Sequence, residues 1–283
     1  MNRPELFDAH THLQFAAYDQ DREEVIKRTL DAGVWAVNVG TQLDTSRVAI
    51  KLAENHPGLY AAVGLHPIHT HESFHDAEEL GGSEETKSLK SRGGELGEEY
   101  FRLASHPKVV AIGECGLDYF HLPEGREEEA KVKQRSEFLK QIKLSAELRK
   151  PLMIHCRQAF GDLIAVFEEN RKLLDPARAG IIHFFTGSKE EAQKLINLGF
   201  YFSFGGVLTI TNDYDEAVRS VPPEKILLET DAPYVAPRSH RGRRNEPLYV
   251  REVAERLAEI RSVSYAEIAE STVENAFRIF NII

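Results

Sequence analysis

Two histidines only two residues apart, His10 and His12, are the first residues of the chain with clear metal-binding chemistry. They follow an apolar opening that predicts a first β-strand over Leu6–Ala9. Side chains two residues apart in an extended chain point to the same side, so both imidazoles can reach one metal ion. A lone His-x-His pair is more often an ordinary surface or core pair, because metal sites usually have three or more ligands.

Further residues of metal-ligand type occur where later predicted strands end. They are Glu114 after the fourth strand, His155 after the fifth, His183 after the sixth and Asp231 after the eighth. Each of these residues alone could be a turn residue or an ordinary hydrogen-bonding residue. Six such positions falling at strand ends are hard to attribute to chance, and the pattern therefore predicts a metal centre.

The elements that must position these residues alternate between strand and helix along the whole chain. The predicted strands are Leu6–Ala9, Val34–Val39, Leu59–Val63, Val109–Ile112, Leu152–Ile154, Gly180–Ile182, Phe200–Phe204 and Ile226–Leu228. Eight strand–helix units in 283 residues predict a single (β/α)8 TIM barrel, with residues 1–283 forming one domain. A doubly wound open sheet is the alternative. In a barrel the carboxyl ends of all strands surround one mouth, so the six residues would converge there.

The predicted ligand set suits two divalent cations better than one. A single catalytic ion usually keeps three protein ligands and an open position. Glu114 is the expected bridge, because a carboxylate offers two oxygens. The remaining ligands divide into His10, His12 and Asp231 for one ion and His155 and His183 for the other. Nitrogen and oxygen ligands without sulfur favour zinc or manganese and, less strongly, magnesium.

Two adjacent cations generate hydroxide from a shared water and clamp a phosphoryl oxygen. Asp231 would either take the proton from that water as general base or serve only as a ligand. His66 would either donate to a substrate phosphate or cap its own loop. Arg157 would either pair with a phosphate or form a surface salt bridge. Asp118 is predicted to accept a hydrogen bond from a ligand histidine.

Two other stretches and a set of aromatic residues bear on the nature of the substrate. The basic run 238–245 follows the eighth strand and favours an anionic substrate against an acidic background. The charged, glycine-rich stretch 69–94 is interpreted as a solvated loop, with its histidines His69, His71 and His75 exposed. Aromatic residues near the strand ends could stack on bases or belong to the core, and they are Tyr119, Phe120, Phe184, Phe185 and Tyr234.

Composition limits the class of protein. The net charge of −10 does not support attraction of nucleic acid to the whole surface. The two cysteines, Cys115 and Cys156, are predicted to be reduced, buried and apolar in role. Neither a signal peptide nor an apolar run of membrane-spanning length occurs in the sequence. We therefore expect a cytoplasmic protein without membrane contact, and no obligate protein partner is evident.

Taken together, the motifs resemble the TatD family of metal-dependent deoxyribonucleases, within the amidohydrolase-like barrel group. The matching segments are Asp8-Ala9-His10-Thr11-His12, Gly64-Leu65-His66-Pro67, Gly113-Glu114-Cys115-Gly116-Leu117-Asp118, His155-Cys156-Arg157, His183-Phe184-Phe185-Thr186-Gly187, Glu229-Thr230-Asp231-Ala232-Pro233-Tyr234 and Arg241-Gly242-Arg243-Arg244-Asn245-Glu246-Pro247.

The resemblance implies a two-metal phosphodiesterase, often a 3′→5′ exonuclease on single-stranded DNA, with the six residues above as ligands. It also permits a barrel amidohydrolase or esterase, such as a D-aminoacyl-tRNA deacylase. The longer stretch after His69 departs from the family pattern and leaves the length of the substrate and the shape of the mouth open.

Overall fold

A computed structural model describes residues 3–71, 77–81 and 94–282, and its eight parallel strands close into a barrel in chain order. The strands are β1 Leu6–Thr11, β2 Val34–Val39, β3 Leu59–Val63, β4 Val109–Asp118, β5 Leu152–Arg157, β6 Gly180–Ile182, β7 Phe200–Phe204 and β8 Ile226–Leu228. The predicted TIM barrel is therefore confirmed, and the open-sheet alternative is excluded.

Helices follow the strands and surround the barrel. They are α1 Arg22–Asp31, α2 Leu43–Asn55, α3 Ala77–Leu80, α4 Glu98–Ala104, α5 Glu127–Leu148, α6 Phe160–Glu169, α7 Lys189–Asn197, α8 Asp215–Ser220, α9 Val250–Arg261 and α10 Tyr265–Phe280. Ser188 and Ser264 begin α7 and α10 with the capping boxes that their sequences predict. None of the helices within the described ranges combines the length and apolar character needed to span a membrane.

The end of the last helix closes the barrel at the face opposite the candidate ligands. Phe280 of α10 stacks on Phe7 of β1 with ring centroids 5.7 Å apart, and Phe277 stacks on Trp35 of β2 at 5.9 Å. Phe7 and Trp35 lie near the amino ends of their strands. Closure at that end leaves the carboxyl ends of the strands as the open mouth of the barrel.

Strands β4 and β5 are longer than the sequence predicts and carry two of the candidate ligands within them. The expectation that they end at Ile112 and Ile154 was wrong, because pairing continues to Asp118 opposite Arg157. Glycines make this possible. A Cβ atom at Gly113 would lie 2.4 Å from the Met153 carbonyl oxygen, and one at Gly116 would lie 2.0 Å from that of His155. The glycines thus allow close strand contact rather than ending the strand.

Strands β1 and β8 meet along a narrow seam in which a side chain replaces part of the backbone ladder. Their strand register contains one pair, Asp8 opposite Leu228. The Asp8 carboxylate is fully buried and accepts hydrogen bonds from the Thr230 backbone N–H at 3.0 Å, the Thr230 hydroxyl at 2.5 Å and the His10 N–H at 3.1 Å. Asp8 therefore ties the first strand to the residues that follow the last.

The stretch after β3 is partly buried against the mouth. His69 is buried, and its Nε2 lies 3.0 Å from Glu79 Oε2 of α3. Glu79 also accepts hydrogen bonds from the Thr41 hydroxyl at 2.6 Å and the Gln42 amide at 2.9 Å. The expectation that His69 is solvated was wrong, because a carboxylate ten residues later compensates its burial. His75, predicted to be solvated as well, lies outside the described residues.

Candidate metal centre

The barrel brings all six predicted ligand residues together at its mouth. Their positions are His10 in β1, His12 just after it, Glu114 in β4, His155 in β5, His183 just after β6 and Asp231 three residues after β8. Four of the six are buried, and His155 and Asp231 are partly exposed. Closure of the barrel thus brings residues more than 200 positions apart in the chain to the same end of the strands.

One group of ligand atoms surrounds Oε2 of Glu114. His10 Nε2 lies 3.1 Å from His12 Nε2, as expected for side chains on the same side of a strand. Glu114 Oε2 is 3.5 Å from the first nitrogen and 3.8 Å from the second. Asp231 Oδ1 closes the group, 3.8 Å from His10 Nε2 and 3.4 Å from His12 Nε2.

A second group surrounds the other oxygen of the same carboxylate. Glu114 Oε1 lies 3.0 Å from His183 Nε2 and 3.1 Å from His155 Nδ1. His66 Nε2 is 3.3 Å away and joins the group, although the sequence suggested for it only a phosphate contact or a cap of its own loop. Glu114 therefore stands between two histidine clusters, with one oxygen directed to each.

Hydrogen bonds from the outer side of the rings distinguish the histidines. His12 Nδ1 lies 2.7 Å from the Val39 carbonyl oxygen, which can only accept, so the Nδ1–H donates and Nε2 keeps a lone pair for an ion. His66 shows the reverse arrangement. Its Nδ1 accepts from the Ile68 backbone N–H at 3.2 Å, so neutral His66 presents an Nε2–H donor to the site. His66 thus caps its loop and directs a donor into the mouth at the same time.

Asp118 supports the second cluster from behind. Its Oδ2 lies 3.0 Å from His155 Nε2 and 3.0 Å from His121 Nδ1. Because the carboxylate accepts the Nε2–H of His155, the neutral ring would keep its Nδ1 lone pair for an ion on the side of Glu114. Burial raises the pKa of Asp118, but the hydrogen bond from His155 outweighs this effect and the pKa lies well below its usual range. Asp118 therefore remains ionised as an acceptor.

The histidines that face Glu114 stabilise the negative charge of its carboxylate. Burial raises the pKa of Glu114, but the facing His66, His183 and His10 outweigh it and hold the pKa well below its ordinary value. Burial lowers the pKa of His66 to about 4, since its one carboxylate neighbour compensates only in part. An ionised glutamate beside a neutral His66 donor is an arrangement that can receive cations and a phosphate together.

Glu229 is a site residue that sequence reasoning missed. It is fully buried, and its Oε1 lies 3.6 Å from His183 Nδ1 and accepts from the Phe184 backbone N–H at 2.7 Å. The Ser203 hydroxyl donates to its other oxygen. Glu229 therefore faces His183 from behind, but this 3.6 Å contact is longer than the 3.0 Å hydrogen bond between Asp118 and His155. Its position two residues before Asp231, directly after a strand, was the available signal.

The residues present fit divalent cations. Histidine and carboxylate atoms lie within 4.8 Å of one another in three groups, which are His10, His12 and Asp231, then His10, His183 and Glu229, and then His66, Glu114 and His155. His12 Nε2 keeps a lone pair directed into the mouth, and the carboxylates supply negative charge beside it. Nitrogen and oxygen donors of this kind suit zinc or manganese.

The mouth above the clusters is a cavity of about 510 Å³. Arg157 lines it, is exposed and has no ion pair with any residue that the structure describes, so it is free to meet an anion. Phe184 and Tyr234 also line it, whereas Phe185 is buried in the core. Cys115 is buried as predicted, but Cys156 is only partly buried and lines the cavity, so the expectation of burial was wrong for Cys156. Both are free thiols.

The basic run 238–245 is only partly available to a substrate. Arg244 forms a bidentate ion pair with Asp21 at 2.7 Å, and its guanidinium lies 4.4 Å from the Tyr18 ring centroid. The expectation that the whole run faces an anionic ligand was therefore wrong for Arg244, which holds the chain after β8 against α1. Arg241 and Arg243 are exposed and unpaired within the described parts of the chain.

Comparison with known proteins agrees with this geometry. The family model described as TatD related DNase matches residues 7–281. The chain belongs to the TatD-related DNase family. A metal-dependent hydrolase of Bacillus subtilis, YabD, is 39% identical over 280 residues, covering 98% of this chain and 99% of the relative. The TatD protein of Escherichia fergusonii, named a 3′-5′ ssDNA/RNA exonuclease, is 32% identical over 288 residues, covering 98% and 99%.

Solved structures of the TatD family share the fold. The TatD homologue YJJV of Escherichia coli superposes with a TM-score of 0.80 at 25% identity, covering 100% of both chains. A TatD family hydrolase of Entamoeba histolytica has a TM-score of 0.79 at 21% identity, covering 99% of both chains. This TatD-family chain is a metal-dependent hydrolase, and its histidine and carboxylate clusters support the use of divalent metal.

Proposed function

We propose that this TatD-family hydrolase cleaves phosphodiester bonds as a 3′→5′ exonuclease on single-stranded DNA, with two divalent cations. One observation carries the proposal. The two oxygens of Glu114 face separate histidine clusters, at 3.0–3.3 Å on one side and 3.5–3.8 Å on the other. A carboxylate in this position suits a bridge between two ions, and paired ions suit displacement at phosphorus.

In this proposal His10, His12 and Asp231 would hold one cation, His155 and His183 would hold the other, and Glu114 would serve both. When bound, such a pair lowers the pKa of water and neutralises charge on the phosphoryl oxygens. Asp231 is partly exposed and lines the cavity, so it can accept the proton of the attacking water. His66 directs its Nε2–H at a phosphate oxygen, and Arg157 pairs with the same or the next phosphate.

The choice of nucleic acid rests on the chemistry of the mouth and on the relatives. An exposed guanidinium without an ion pair in the described chain suits a phosphate, and the Escherichia fergusonii relative is named an exonuclease of single-stranded DNA and RNA. We place the activity in the cytoplasm, which the two free thiols support.

A gel assay tests the proposal. The protein is stripped with EDTA, and Mn²⁺, Mg²⁺ or Zn²⁺ is returned to it with a single-stranded DNA labelled at its 5′ end. We expect no cleavage in EDTA and a ladder shortened from the 3′ end with at least one ion. An inverted nucleotide at the 3′ end should abolish this ladder. Cleavage rates on RNA and on duplex DNA of the same sequence show which nucleic acid the protein prefers.

The same assay distinguishes the alternative function. Barrel hydrolases of related type act on esters and amides, including D-aminoacyl-tRNA. Failure to cleave any nucleic acid with any of the three ions, combined with metal-dependent turnover of an aminoacyl ester, would replace the nuclease proposal with an amidohydrolase or esterase.

A further inference from the structure

An exposed aromatic ring stands at the rim of the mouth. Phe120 follows β4 and is 52% exposed, which is the largest exposure of any aromatic residue among the large exposed hydrophobic residues of the described chain. The Arg157 guanidinium lies 3.8 Å from its ring centroid, within the range of a cation–π contact. Arg157 and the neighbouring His121 both line the cavity, so the ring lies directly beside the path of a ligand.

The ring is held in place by the same carboxylate that orients a candidate metal ligand. Asp118 Oδ1 accepts from the backbone N–H groups of Phe120 and His121, each at 2.9 Å. Its Oδ2 faces the rings of His121 and His155. The rim and the second histidine cluster are therefore fixed relative to each other, and a group bound at Phe120 has a defined position relative to the site of hydrolysis.

Neighbouring aromatic residues are occupied elsewhere. The Tyr119 hydroxyl donates to Asp162 at 2.7 Å, and the Lys131 ammonium lies 5.2 Å from the Tyr119 ring centroid. Phe185 is buried against Phe160 and Phe202. The Phe120 ring instead contacts the Arg157 guanidinium and, edge to face, the His121 ring, whose centroid is 4.8 Å away.

We propose that Phe120, supported by Arg157, is a stacking subsite for an unpaired nucleobase of the substrate, an inference that rests on the proposed nuclease function. A ring with an exposed face and a cation near it is a platform on which bases of any sequence stack. Bases within a duplex already have both faces covered, so this subsite accepts single strands. The guanidinium edge remains free for the phosphate next to the stacked base.

The test compares Phe120→Ala with wild-type protein on single-stranded DNA, with Phe120→Trp as the conservative variant. Phe101→Ala is the matched control, because Phe101 is 40% exposed on α4 and does not line the cavity. We expect Phe120→Ala to raise KM roughly 10-fold with kcat unchanged, as loss of one stacked base predicts. Phe120→Trp should restore KM, and Phe101→Ala should leave it unchanged.

An oligonucleotide with abasic residues at its last three 3′ positions provides the decisive comparison. Without a base to stack, wild type and Phe120→Ala should have the same KM. An equal KM for the two proteins on ordinary DNA, or an equal loss on both substrates, would overturn the subsite.

A binding measurement separates the subsite from the nuclease proposal. A hydrolysis-resistant phosphorothioate strand with 2-aminopurine near its 3′ end is titrated with the metal-loaded protein. We expect wild type to quench the fluorescence by stacking and Phe120→Ala to leave it largely unquenched. Equal quenching by both proteins refutes the subsite even where cleavage is observed, whereas quenching without cleavage retains the subsite and rejects the nuclease.

Discussion

Replacement of Glu114 by glutamine tests the candidate metal centre at the residue that contacts both histidine clusters. The side chain keeps its size, but one oxygen becomes an NH₂ group and the negative charge is lost. In the wild type the carboxylate lies 3.0 Å from His183, 3.1 Å from His155 and 3.5 Å from His10. Because one substitution reaches both clusters, the proposed two-cation centre predicts that binding of both ions is weakened together.

The size of the effect follows from these contacts. Loss of a group that only supports a ligand from behind lowers metal affinity by roughly 10- to 100-fold. Glu114 faces both clusters directly, so Glu114→Gln should lower the affinity for each ion by about 100-fold or more. We expect turnover to fall by about 1000-fold, which corresponds to about 4 kcal/mol of transition-state stabilisation.

The assay combines elemental analysis of the bound metal after dialysis at fixed free Mn²⁺ with cleavage of single-stranded DNA. Glu128→Gln is the matched control, because the Glu128 side chain is 86% exposed and pairs with Lys131 on the surface of α5. Circular dichroism shows that both variants are folded. Two tightly held ions with undiminished turnover in Glu114→Gln would refute the bridge.

Three further predictions follow from the surroundings of the centre. Asp118→Asn should weaken metal binding roughly 10- to 100-fold, because His155 loses an anionic acceptor, and isothermal titration measures it; unchanged affinity would contradict this role. Arg244→Ala should lower the free energy of unfolding in urea by about 1–3 kcal/mol, because Asp21 loses its hydrogen-bonded partner. Exposed Arg243→Ala should preserve stability and reduce the salt slope of DNA binding by about one; equal stability of the two variants would show that the ion pair of Arg244 is dispensable. Burial raises the pKa of Glu79, but its hydrogen bonds, led by the one from His69, outweigh burial and lower the pKa from 4.5 to about 2. The ionised carboxylate therefore stabilises the folded protein fully above pH 4.5, and this stabilisation is lost as the pH falls through 2. The difference in unfolding free energy between wild type and Glu79→Gln should therefore be about 3 kcal/mol at neutral pH and shrink towards pH 2, and a pH-independent difference would argue against it.

The sequence predicts the barrel well because its signals are local and repeated. Short apolar runs bounded by glycine or by capping residues identify the strands, as at Val34–Val39, and the alternation with helices identifies the architecture. The ends of β4 and β5 were less predictable. Gly113 and Gly116 suggest a turn, and only the facing carbonyl oxygens of β5 show that the glycines serve close pairing.

The candidate site was predictable in its residue types and less so in its surroundings. The side-chain period of two places His10 beside His12 without knowledge of the fold, and the barrel places the other ligands. By contrast, the pairing of Arg244 with Asp21 and of His69 with Glu79 depends on partners that no pattern indicates. A charged residue in a sequence does not show whether it faces a ligand or another part of the chain.

The seam between β1 and β8 has a consequence for how the protein is made. His10 and His12 leave the ribosome first, but Asp231 and the Thr230 groups that hold Asp8 follow more than 200 residues later. The nascent chain therefore carries an incomplete set of ligands for most of its synthesis. A cation held by His10, His12 and Asp231 would therefore add a second link between the two ends of the barrel, beside the contacts of Asp8 with Thr230.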